Sequence, residues 1–164
     1  MLKVFVSFSD ADRTLVDGMS RAAQRLGGIE LYRFDHDPRP GAELSEKVKD
    51  AIRNADLFLV LLTHRSRRST WVQQEIGIAA GAGKAIVPVV QSGVEVKGVL
   101  EGREYIQMDA TDPTDGLVRA VRHLERVARK REAEAAAKRE AERQRNTAIA
   151  FLAITFLIIA GSKD

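Results

Sequence analysis

The stretch DLFLVLLTHRSRRSTWVQQEIGIAAGAGKAIVPVV, Asp56 to Val90, decides how this chain folds. It opens on DLFLVLLT (56–63), a nearly unbroken apolar run of strand length, as expected for a central parallel strand covered on both faces. The polar loop HRSRRS (64–69) follows, then a helix, then the β-branched strand AIVPVV (85–90). Within the helix Val72, Ile76, Ala79, Ala80 and Gly83 make a small apolar stripe, and Glu75 stands one turn after Trp71, the only tryptophan. Helical residues four apart share a face, so Trp71 and Glu75 are neighbours and the acid falls at the edge of the core stripe. On these residues alone a solvated glutamate, or one paired with lysine or arginine, is the simpler reading.

The same cycle extends outward on both sides. LKVFVSF (2–8) is a strand, and residues 11–26 carry helical spacing through Leu15, Met19, Ala22, Ala23 and Leu26 until Gly27 and Gly28 stop the helix. IELYRF (29–34) is a strand, DHDPRPG (35–41) a loop kept from helix by two prolines, and AELSEKVKDAIRNA (42–55) a helix with Leu44, Val48, Ala51 and Ile52 inward. A weaker strand, EYIQMD (104–109), precedes a final helix that starts near Asp112 and Pro113. Five strands alternating with helices predict an α/β fold, a flavodoxin-like doubly wound five-stranded parallel sheet with right-handed crossovers. In such sheets ligands gather at the carboxyl ends of the strands, which directs attention to the loops after Phe8, Phe34 and Thr63.

The 164 residues, 45% of them apolar, leave room for one domain with a real core and an appendage. The absence of cysteine excludes disulfides, thiolate zinc sites and cysteine nucleophiles, and fits a reducing compartment. A formal charge of +3, with the basic excess mostly after residue 118, gives no case for a nucleic-acid partner. MLKVFVSFSD leads straight into acidic residues and is too short for a signal peptide.

The last part of the chain differs in kind. After Leu117, Val121, Leu124 and Ala128 the apolar stripe fades, and residues 125–146 have only alanine for an apolar face, with EAAAK at Glu134 to Lys138. This is the composition of a semi-rigid helical spacer, on the order of 30 Å long if wholly helical. TAIAFLAITFLIIAG (147–161) then carries no charge. Its fifteen residues fall short of the ~17–25 of a usual spanning helix, yet it is apolar all round, and flanking cations can snorkel. A short hydrophobic C-terminal helix acting as a membrane anchor is the expectation, with the domain on the cytoplasmic side, at the inner face of the cell membrane, by the positive-inside rule. A helix that oligomerises or packs on the domain is the alternative.

Several chemical motifs fail on inspection. GAGKA (81–85) lacks the glycine spacing and the following hydroxyl of a phosphate loop, and it joins helix to strand, the wrong order for a phosphate cradle. Asp10 and Asp12 suggest a phospho-acceptor domain, but the third strand ends in Thr63 where an aspartate is needed. His36, His64 and His123 lack metal-ligand spacing, so no metal is expected, and Ser7 and Ser9 have no histidine and acid placed for nucleophilic catalysis.

Four segments in order, VFVSFSDAD, FDHDPRPG, DLFLVLLT and WVQQEIGIAAGAGKAIVPVV, make the sequence resemble a TIR (Toll/interleukin-1 receptor and resistance protein) domain of the prokaryotic NAD-cleaving type, over about residues 2–125. The resulting division is a TIR domain at 1–124, a charged spacer at 125–146 and the hydrophobic segment at 147–161. The resemblance implies NAD+ as substrate, with no separate cofactor, and cleavage of the nicotinamide–ribose bond by a glutamate matching Glu75. It implies that Trp71 lines the nucleotide site, that Phe8, Ser9 and Asp10 border it, and that the Arg33 to Gly41 loop, with Arg33, Phe34 and Arg39, both borders it and mediates self-association. The implied activity is that of an NAD+ glycohydrolase or ADP-ribosyl cyclase, active on self-assembly, in signalling or antiviral defence. The alternative is a non-catalytic, membrane-tethered TIR scaffold.

One carboxylate is chemically sufficient for that reaction. Ordinary glycoside hydrolysis needs two because the leaving oxygen must be protonated. The nicotinamide nitrogen of NAD+ is already cationic and departs neutral, so no general acid is required. What remains is a ribosyl cation, which an anion hydrogen-bonded to the ribose hydroxyls stabilises more strongly as charge moves onto the sugar.

Overall fold

The computed structural model describes residues 1–34 and 46–161, with side chains described as far as Leu152. Strands β1 (Leu2–Ser7), β2 (Ile29–Tyr32), β3 (Leu57–Leu62), β4 (Ile86–Gln91) and β5 (Ile106–Met108) form one sheet in the order β2-β1-β3-β4-β5. Every neighbouring pair is parallel, with Phe5 beside Phe58 and Val60 beside Pro88. This is the flavodoxin-like order 2-1-3-4-5, and the direction of winding reverses between β1 and β3. All six residues of β3 are buried, as the apolar run requires of a strand covered on both faces.

Each strand sorts its side chains by alternation. Val4, Val6, Phe8, Leu57, Leu59 and Leu61 face α1 (Arg13–Leu26) and the first turns of α4 (Thr114–Gly161), where Val16, Met19, Ala120 and Leu124 close the layer. Phe5, Phe58, Val60 and Leu62 face α2 (Glu46–Asn54) and α3 (Thr70–Gly81), packing on Val48, Ile52, Val72, Ile76 and Ala79. Burial of each large apolar side chain contributes roughly 1.5–3 kcal/mol against its conformational entropy. Ser69 starts α3 by accepting a hydrogen bond from the Val72 amide at 3.4 Å.

Three expectations change. The crossover from β4 to β5 carries no α-helix, only a 3-10 turn at Gly98–Leu100. Gly93, Gly98 and Gly102 there have φ of 79°, 67° and 73°, left-handed values that interrupt a right-handed helix. Secondly, the spacer and the hydrophobic segment are not two helices: α4 runs unbroken from Thr114 to Gly161. Thirdly, among the described residues no helix is long and apolar enough to cross a membrane. The spanning anchor expected over 147–161 therefore finds no support among the described residues. By internal contacts the chain divides into two units, Met1–Ala128 and Arg129–Asp164. The expected start of α2 at 42–45, with Leu44, lies outside the described residues.

Two helical glycines test the packing with opposite signs. A Cβ on Gly116 would lie 2.7 Å from Met108 Cα, so α4 sits on β5 at a distance only glycine permits. Gly116→Ala should destabilise the domain by about 1–3 kcal/mol through overpacking. Gly18 has nothing within 4 Å of that position, so Gly18→Ala should stabilise α1 by about 0.5–1 kcal/mol. Urea denaturation midpoints of the two variants should move in opposite directions.

Candidate active site

The polar chemistry of the domain collects where the winding reverses. Beyond its apolar stretch β1 ends in Ser7, on the same face as Phe5 and thus towards α3. Helix α3 meets it there: Ser7 Oγ donates to Glu75 Oε2 at 2.5 Å. Glu75 is 0% exposed, deeper than the stripe-edge position expected from the sequence. It lies three residues after Val72 and four before Ala79, inside the buried arc of the helix, and the end of β1 covers it. Isolated carboxylates are costly to bury, and a short hydrogen bond from a hydroxyl offsets part of that cost.

A second buried acid occupies the opposite face. Thr63, directly after β3, falls in step with Leu59 and Leu61 and so points to the α1 side. Its hydroxyl donates to Asp12 Oδ2 at 2.8 Å and accepts from the amides of Arg65 (3.1 Å) and Ser66 (3.0 Å). Ser66 Oγ accepts from the Thr63 amide at 2.7 Å and donates to the Leu61 carbonyl at 2.7 Å, so the strand end is closed by its own loop. Burial raises the Asp12 pKa above its ordinary value, while the Thr63 hydrogen bond and the Arg65 charge pull the other way. Among the described residues no buried side-chain nitrogen or oxygen lacks a partner.

The other expected site residues are distributed around this centre. Trp71 is half-buried against the α2/α3 core, one turn before Glu75. Phe34 stacks on Phe5 with centroids 6.0 Å apart, and Phe5 on Phe58 at 5.6 Å, giving an aromatic row on the Glu75 face. The Phe8 side chain packs into the opposite core, so only its backbone borders the strand ends on the Glu75 side. The Ser9 carbonyl accepts from the Asp12 amide at 2.7 Å, shaping the turn after β1. Asp10 is exposed and paired with Arg13 at 3.1 Å. Arg33 is spent on Asp17 of α1, whose pKa that hydrogen bond lowers. Arg39 and the rest of the expected self-association loop lie outside the described residues. A cavity of about 470 Å³ opens on the other flank of α3, lined by Gln73, Ile76 and Gly77 and not by Glu75.

The sequence reading passed over Ser7, Asp12, Thr63 and Ser66 as partners. The signal was available in the alternation: Ser7 continues the Phe5 face and Thr63 continues the Leu61 face, so each hydroxyl had to meet something inside the protein.

Comparison with known proteins identifies the family and the fold. A family model described as TIR domain matches residues 4–124. No curated protein matches the chain. Among solved structures, the TIR domain of the Toll-related receptor TRR-2 from Hydra magnipapillata is 26% identical with a TM-score of 0.55, the match covering 79% of this chain and 99% of that one. The CMP N-glycosidase BcmB of Clostridium botulinum matches at 16% identity and TM-score 0.52, over 72% of this chain and 98% of its own. A prokaryotic SEFIR domain matches at 15% identity and TM-score 0.52, over 78% and 92%. The last two share the fold.

Asp12 gives the strand-end network a pH signature. With its folded pKa above the ordinary 3.8, the native state holds this proton more tightly than the unfolded chain. The stability Asp12 contributes is therefore present at low pH and is lost as pH rises from 3.8 through the folded value. Asp12→Asn keeps an acceptor for Thr63 and removes the titration. Its stability relative to the parent should increase from pH 3 to pH 7, measured by urea denaturation across that range.

Proposed function

The chain belongs to the TIR domain family, and we propose that it is an NAD+ glycohydrolase or ADP-ribosyl cyclase in which Glu75 is the catalytic carboxylate. The observation that supports this reading is Glu75 itself: a fully buried acid, on the helix after the third strand, held by Ser7 at the point where the winding reverses. A charge kept out of water there acts on a developing cation with little screening.

In the proposed reaction the bond from ribose C1′ to the nicotinamide nitrogen breaks, and its electron pair stays on the nitrogen, which becomes neutral. Glu75 stabilises the ribosyl cation through the ribose hydroxyls, and Ser7 fixes the orientation of its carboxylate. Water attacking C1′ and losing a proton gives ADP-ribose, whereas attack by an adenine nitrogen of the same molecule gives a cyclic product. That the fold hosts N-glycosidic cleavage elsewhere fits this reading, since BcmB is a CMP N-glycosidase.

Because Glu75 is covered, ribose reaches it only when the chain around it opens. We assign that opening to self-association of the TIR domains, so activity is that of an assembly and not of a monomer. We propose that it acts on NAD+ in the cytoplasm, in signalling or antiviral defence.

Purified protein at high concentration should release nicotinamide from NAD+, with specific activity rising with protein concentration. Glu75→Gln should lower the rate on the order of 10²-fold or more. The same substitution keeps the volume and an acceptor for the Ser7 hydroxyl, so its urea midpoint should stay close to the parent's. An unchanged rate would leave the non-catalytic scaffold as the reading. A lost rate accompanied by a lowered midpoint would make Glu75 a structural residue.

A further inference from the structure

We propose that the cavity on the outer flank of α3 is a separate site for a nucleoside diphosphate. It has a volume of about 470 Å³, within the ~300–1,000 Å³ of small-molecule pockets. One wall is the 3-10 turn after β3, which brings Arg67 and Arg68 to the rim. The facing wall is the Gly98–Leu100 turn of the β4–β5 crossover, with Leu62, Ile76 and Leu100 as an apolar floor between them.

Both walls are built. Gln73 Nε2 donates to the Arg67 carbonyl at 3.3 Å, tying the arginine turn to α3. Arg103 Nε donates to the Val99 carbonyl at 3.2 Å, and the Glu101 amide to the Gly98 carbonyl at 3.0 Å, holding the opposite turn. The polar chemistry is cationic. Arg67 and Arg68 form no ion pair among the described residues, whereas Lys97 at the same rim is already paired with Glu95 at 2.9 Å. Two unpaired guanidiniums beside an apolar floor suit a ligand with phosphate at one end and a ring at the other, because the guanidinium fork matches phosphate geometry.

Gly77 keeps this wall of the cavity open. Glycine inside a helix costs roughly 0.5–1 kcal/mol relative to alanine, and the fold does not require it at this position. Its φ is not positive, and no heavy atom lies within 4 Å of where its Cβ would be. It lines this cavity, where a missing side chain lets a ligand lie against the helix backbone.

The site lies next to Glu75 in sequence, at Ile76 and Gly77, but on a different flank of the helix, so its occupancy bears on the helix that carries the acid. Binding at it does not depend on NAD+ cleavage, and the test uses no turnover. Isothermal titration of the full chain with ADP should give saturable binding, with affinity at least tenfold above that for adenosine or for inorganic phosphate. The paired Arg67→Ala and Arg68→Ala change should weaken ADP on the order of tenfold or more. Gly77→Leu, which fills open space on a helix and so keeps the fold, should abolish binding, while Glu75→Gln should leave it intact. No ADP binding, equal affinity for inorganic phosphate, or an affinity unmoved by the arginine and glycine changes would overturn the proposal.

Discussion

A parallel sheet covered on both faces must end its central strands inside the protein, and the polar groups that end them need partners there. β1 stops at Ser7, and Thr63 directly follows β3, on the neighbouring strands where the winding reverses, and each hydroxyl meets a buried acid on its own face. The rest of the carboxyl edge is organised around those two hydrogen bonds. Thr63 and Ser66 close the loop that leads into α3, and α3 in turn carries Glu75 back to Ser7. Strand alternation, which sends Phe5 and Ser7 one way and Leu61 and Thr63 the other, keeps the two acids on opposite sides of the sheet.

The two acids differ in what surrounds them. Asp12 sits in a web of loop donors, with Arg65 contributing positive charge, and is explained well as the fastening of β3 to the start of α1. Glu75 comes from mid-helix, meets Ser7 on the face of β1 that also carries Phe5, and is wholly covered. Helix α3 therefore serves three surfaces: a core stripe through Val72, Ile76 and Ala79, the Ser7 contact, and the cavity flank at Gln73 and Gly77.

Much of this was legible in the residues. The apolar run of β3 and the glycine stops fixed strand and helix identities, because burial on both faces and left-handed turns leave direct marks on composition. Boundaries shifted where the marks were faint: β2 ends at Tyr32, not Phe34, and β5 shrinks to Ile106–Met108. The composition change near Asn146 suggested a break that α4 does not have, since charged, alanine-rich and aliphatic stretches all sustain the same i to i−4 ladder. Arg33 looked available for a ligand, and the structure commits it to Asp17, sixteen residues away in sequence.

The sequence by itself determined the alternation of elements, the parallel doubly wound sheet, and the direction in which Glu75 leaves its helix, because each follows from a local period of two or of 3.6 residues. Only the tertiary structure decided how deep Glu75 lies and that Ser7 meets it. Depth depends on which distant strand ends above the helix, and no local period encodes an encounter between residues 68 positions apart.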